Sequence, residues 1–138
     1  MSSITSIAYV RPPVEDDLNF IIATFLKGLY YGNDFYGMIQ KDDYMKNYEP
    51  IVKAILANNL INIACLKEDP GVILGYSILT SDQSTVHFTF IKAAWRSKGL
   101  FQLLVPNTIT GYSHFTNKGL SIVKSKFNQA VFTPFKIA

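Results

Sequence analysis

The fold is decided by His87-Phe88-Thr89-Phe90-Ile91-Lys92-Ala93-Ala94-Trp95-Arg96-Ser97-Lys98-Gly99-Leu100-Phe101. A β-branched and aromatic run ends at Ile91, a loop carries Arg96 and Lys98, and Gly99 opens an apolar stretch of helical character. Backbone N–H groups at such a helix start have no intrahelical partner and attract anions. Gly99 lets a ligand approach the main chain closely. The run is suited to a pyrophosphate.

Upstream, three strands are expected. They are Leu60–Lys67, Val72–Thr80 and Thr85–Lys92, separated by the turns Glu68-Asp69-Pro70-Gly71 and Ser81-Asp82-Gln83. Before them, a strand over Ile4–Arg11 stops at Pro12-Pro13. A helix over about Val14–Leu29 carries Leu18, Ile21, Ile22, Phe25, Leu26 and Leu29 at helical spacing. Tyr30–Gly37 reads as a loop, and a second helix starts near Asp42 and breaks or kinks at Pro50. Downstream, Gly99–Val105 reads as a short helix, Tyr112–Phe115 as a strand, Lys118–Lys126 as a helix and Ala130–Lys136 as a strand. The order is β-α-α-β-β-β-α-β-α-β, an α/β (α+β) domain with mixed strand pairing. Its 138 residues, 49% hydrophobic and 17% charged, suit one globular domain over 1–138.

Six basic and ten acidic residues stand up to Asp82; seven basic and none acidic follow. Any catalytic carboxylate must therefore come from the first 82 residues. A basic half attracts a phosphorylated ligand or a nucleic acid, but its lysines are scattered without a reader motif, which disfavours nucleic acid. No apolar run is long enough to span a membrane. Met1–Val10 lacks a signal peptide's basic start, so a cytoplasmic protein is expected. Cys65 reads as a small buried hydrophobe, and one Cys with two separated His gives no metal spacing.

Arg96-Ser97-Lys98-Gly99-Leu100-Phe101 resembles the acyl-CoA-binding motif of the GNAT superfamily of N-acetyltransferases, Gln/Arg-x-x-Gly-x-Gly/Ala after the fourth strand. Phe101 departs from the small residue of that pattern: it either crowds the pyrophosphate or turns into the core. The opening Arg11-Pro12-Pro13-x-x-x-Asp17 and the strand Ile73-Leu74-Gly75-Tyr76-Ser77-Ile78 are also similar to the family, as is the element order; small bacterial and phage members have this size. The resemblance implies a GNAT-like sheet of six to seven strands flanked by helices. It implies acetyl-CoA as acyl donor and an amine acceptor that attacks directly. Thr89, Phe90 and Ile91 would bind the pantetheine arm and thioester, and Ser97 to Phe101, with Arg96, the pyrophosphate.

Strand alternation puts Thr85, His87, Thr89 and Ile91 on one face. His87 is thus a candidate proton relay, as some family members carry a His on this strand; a structural His is the other reading. His114 is a weaker rival in an irregular setting. The family often takes its acid from a Tyr after the fifth strand. Here Phe127 stands near that place, and Tyr112 is a weak candidate acid. Tyr30, Tyr31, Asp34 and Tyr36 are candidates for the amine site, or else close the core edge. Trp95 covers the loop, meets the adenine or packs. A GNAT-like binding module without catalysis, contacting another protein, is the alternative function. A homodimer remains open.

Overall fold

The computed structural model describes residues 4–136. Strand β1 (Ala8–Arg11) is followed by helices α1 (Leu18–Gly32), α2 (Asp34–Gly37) and α3 (Lys41–Asn58). Strands β2 (Leu60–Leu66), β3 (Ile73–Leu79) and β4 (Thr85–Ile91) then lead to α4 (Leu100–Leu104), β5 (Gly111–Tyr112), α5 (Asn117–Lys126) and β6 (Val131–Phe132). They form one six-stranded sheet in sequence order. The first four strands pair antiparallel, and β4, β5 and β6 run parallel.

The opening motif is a structural clasp. Pro12 and Pro13 cannot donate to a ladder, so β1 ends there. Asp17 then accepts from the Val14 amide (2.8 Å) and takes both ends of the Arg11 guanidinium at 2.7 and 3.2 Å. Arg11 also donates to the Pro70 carbonyl at 3.0 and 3.2 Å. The clasp joins the end of β1, the approach to α1 and the β2–β3 turn.

Ile21, Phe25, Leu26 and Leu29 of α1 and Tyr44, Val52, Ile55 and Leu56 of α3 bury against Ile61, Ile63, Tyr76, Ile78 and Phe88 of the sheet. Phe25 stacks on Phe88 with ring centroids 4.5 Å apart. The opposite face, with Ala64, Leu74, Leu79 and Val86, is covered by Leu100 and Leu104 of α4 and Val123 of α5. Gly75 explains the Leu-Gly-Tyr step of β3: a Cβ there would lie 2.5 Å from the Phe90 carbonyl oxygen. Any larger residue would push β3 and β4 apart. Cys65 is buried in the sheet, its thiol 3.8 Å from the Tyr9 carbonyl.

Several boundaries differ from the sequence reading. Residues Tyr30–Gly37 are not a loop: α1 continues to Gly32, and Asn33 caps α2 by accepting from the Phe35 (2.8 Å) and Tyr36 (3.4 Å) amides. Helix α3 runs through Pro50, which is exposed, where the carbonyl it leaves unpaired can turn to water. The last two strands contract to two residues each, because they touch their neighbours at only two register positions.

Candidate functional site

Strands β4 and β5 begin side by side and then part. They pair at Thr85–Gly111 and Val86–Tyr112, and the Ser113 amide reaches the Val86 carbonyl at 3.1 Å. Beyond that point the chain leaves β5 for α5, which Thr116 starts by accepting from the Gly119 amide (2.9 Å). The second half of β4 therefore has no strand beside it on that edge. A cavity of about 50 Å³ fills the gap, with Thr89, Phe101, His114, Phe115, Thr116 and Gly119 among its walls. The hydroxyl oxygen of Thr89 is buried without any hydrogen-bond partner. An orphaned buried hydroxyl costs about 1–3 kcal/mol and calls for a reason.

Past β4, the chain bends sharply. Ser97 and Gly99 adopt left-handed backbone, with φ of +61° and +94°. A non-glycine residue pays for that conformation in strain, and such strain clusters at binding loops. Among the described residues, no hydrogen bond is made by the amides of Ser97, Lys98, Gly99, Leu100 and Phe101. Arg96 and Lys98 are exposed beside them, with Arg96 anchored through Nε to the Ile91 carbonyl at 3.1 Å. Helix α4 has five residues, so free amides rather than a long helix dipole define this cradle. Phe101 does not plug it: the ring turns inward, 6.3 Å from that of Phe127, and forms a wall of the cavity. Trp95 packs, half-buried, against the same cluster of side chains.

Six side chains near the cavity form one hydrogen-bonded chain. Asn59 Oδ1 meets His87 Nε2 (3.0 Å), His87 Nδ1 meets Ser113 Oγ (2.5 Å), and Ser113 Oγ meets His114 Nδ1 (2.8 Å). His114 Nε2 meets the Tyr48 hydroxyl (2.6 Å), and Tyr48 meets Tyr36 at 3.4 Å. Burial pushes His87 down to about 4, with the Lys136 charge adding to it, and burial pushes His114 to about 4, with His87 adding to it. Both rings are neutral at neutral pH. Burial holds the Tyr48 hydroxyl well above its ordinary value.

The placement of His87 corrects the alternation argument. The ladder slips between Ile78–Phe88 and Leu79–Val86, leaving His87 as an extra residue in a β-bulge. Val86 thus joins the α4 side while Phe88 faces α1, and His87 is fully buried with both ring nitrogens engaged. His114, read as the weaker rival, is the histidine on the cavity wall. Tyr112 is buried with its ring against Phe115 and Phe132 and does not line the cavity. Of the four amine-site candidates, Tyr36 alone joins the polar chain. Tyr30 donates to the Ile39 carbonyl (2.8 Å) and packs on Tyr44, closing the core edge. Tyr31 lies exposed under Lys41, and Asp34 is exposed at the start of α2. Asn59, Tyr48 and Ser113 were not singled out in the sequence. Only the Ser113-His114 pair, next to a strand end, offered a signal.

No protein-family model matches the sequence, and no curated protein matches it. Solved structures do. Over 88% of this chain and 88% of the other, it superposes on a possible acetyltransferase from Clostridium difficile 630, with a TM-score of 0.55 at 15% identity. The chain has the GNAT fold. A GCN5-related N-acetyltransferase (aminotransferase, class-II) from Rhodopseudomonas palustris gives a TM-score of 0.46 at 20% identity over 72% of this chain, which spans 59% of that protein's length. An N-acetyltransferase from Staphylococcus aureus Mu50 gives 0.38 at 19% identity, over 89% of this chain and 68% of that one. Among the described residues, no helix is long and apolar enough to cross a membrane, and no group of three or more His, Cys, Asp or Glu is placed to hold a metal ion.

Proposed function

We propose that the chain is an acyl-CoA-dependent N-acyltransferase, with acetyl-CoA as donor and an amine as acceptor, working as one domain in the cytoplasm. The observation that carries this reading is the gap between β4 and β5, with the unpartnered Thr89 hydroxyl on its wall and five unpartnered amides beyond its end. These groups fit the donor as residues: Ser97 to Phe101 would hold a pyrophosphate by their N–H groups, with Arg96 and Lys98 supplying charge. Thr89, Phe90 and Ile91 would meet the pantetheine arm. When bound, the donor supplies a thioester carbonyl open to attack by an amine. The gap is narrow, about 50 Å³, room for only a few waters at about 10–15 Å³ each. Phe101 or Phe115, both half-buried, must rotate to admit the arm.

A binding module without catalysis is the second reading. It is favoured by the packing of Tyr112, which removes the one tyrosine after residue 83 from the cavity. Thiol release from acetyl-CoA, followed over a panel of primary amines and peptides, separates the two. The enzyme reading expects amine-dependent release that Arg96→Glu suppresses. Release from no amine on the panel, with acetyl-CoA still bound, selects the module.

A further inference from the structure

We infer that His114 is the group that takes the acceptor amine's proton, and that Asn59, His87 and Ser113 are positioning residues that hold its Nε2 as a bare acceptor. This rests on the acyltransferase reading of the same cavity.

The protonation of the whole chain follows from one carbonyl. The Ile55 oxygen can only accept, and Asn59 Nδ2 lies 2.8 Å from it, so Asn59 Oδ1 is the atom turned to His87. His87 Nε2 must then carry the hydrogen, and a neutral ring leaves Nδ1 bare. Ser113 can satisfy Nδ1 only by donating its hydroxyl proton, which obliges it to accept from His114 Nδ1–H. His114 Nε2 is therefore bare, and the Tyr48 hydroxyl donates to it. Every bond points the same way, from Tyr36 towards Asn59. The two histidines are held as opposite tautomers, with ring centroids 6.4 Å apart.

Of the two rings, His114 lines the cavity and His87 does not. A neutral amine, its ammonium proton already given to water, takes the place of the Tyr48 hydroxyl and donates an N–H to Nε2. As its nitrogen bonds to the acyl carbon it becomes cationic and far more acidic, and that proton passes to Nε2; His114 becomes a cation whose Nδ1–H still rests on Ser113. The carbon–sulfur bond then breaks, and His114 returns the proton to the departing thiolate. Burial keeps Nε2 unprotonated, and so able to accept, at neutral pH.

Nitrogen-15 NMR of the two rings in the ligand-free protein tests the assignment without any turnover. The expected spectrum shows His87 as the Nε2–H and His114 as the Nδ1–H tautomer, both neutral at pH 7. Asn59→Asp places a carboxylate beside His87 Nε2 and favours its cation. Its Nδ1–H then donates to Ser113, Ser113 turns its proton to His114 Nδ1, and His114 becomes the Nε2–H tautomer. The variant should lose at least about 100-fold in kcat with an unchanged KM for acetyl-CoA. Ser113→Ala, which cuts the chain without adding charge, should lower kcat and leave the His114 tautomer mixed. An Nε2–H His114 in the wild type, or a His114 tautomer indifferent to both substitutions, overturns the inference. Correct tautomers in a protein that transfers no acyl group would instead overturn the acyltransferase reading.

Discussion

Replacing Arg11 by alanine should destabilise the protein by about 3–5 kcal/mol, the cost of stranding one partner of a largely buried ion pair. The two side chains are 13% and 7% exposed, and the guanidinium satisfies Asp17, Pro12 and Pro70 together. Asp17 would keep only the Val14 amide, and the β2–β3 turn would lose its tie to β1. Arg11 holds the Asp17 carboxyl below the usual carboxylate range, with the Val14 amide helping and burial opposing. The stability it contributes is therefore complete above the ordinary carboxylate value and disappears as pH falls through the depressed one. The shift of the urea midpoint at pH 7 measures the effect. A change under 1 kcal/mol would mean that the pair behaves as a surface bridge.

Acid should destabilise the fold through His87 and His114. In the unfolded chain both protonate near 6.5, whereas burial holds both at about 4 in the folded one. Between those values the unfolded chain binds more protons, so stability falls as pH drops. It is complete above pH 6.5 and lost progressively towards pH 4, on the order of 3 kcal/mol per histidine at about 1.4 kcal/mol per pH unit. This window lies above that of Asp17, so the two losses separate. The charges facing the pair are Lys136 at His87 and the His87 ring at His114. Thermal melts from pH 8 to pH 4 read the loss, and His87→Asn together with His114→Asn should flatten it. A profile flat from pH 7 to 5 in the wild type would show both rings protonating freely when folded.

Most of the fold was legible because its signals are local. The Leu18-to-Leu29 spacing, the two turns between β2, β3 and β4, and the Pro12-Pro13 stop each follow from neighbours in sequence. The bend at Ser97 and Gly99 was also legible, since strand, loop and glycine are contiguous. The strand face of His87 was misread because a one-residue bulge leaves no trace in an alternating pattern, yet it turns a side chain from one surface to the other. The place of His114 on the cavity wall was not legible because its partners Tyr48 and Phe25 lie 66 and 89 positions away. Tail strands of two residues carry too little periodicity to set their ends. The aromatic segment after α1 reads as loop by its glycines and Asn33-Asp34, although Asn33 is there to cap a helix turn and to donate to the Phe115 carbonyl at 2.8 Å.

Isothermal titration of acetyl-CoA into the wild type and into Gly99→Val tests the central claim most directly. Position 99 sits at φ +94°, where valine is strained and the amide cradle cannot keep its shape. Saturable one-to-one binding to the wild type, at least ten-fold weaker in the variant while thermal unfolding stays cooperative, is the predicted result. No heat with the wild type, or equal affinity in both, would contradict a coenzyme held between β4 and β5 with its diphosphate on these amides.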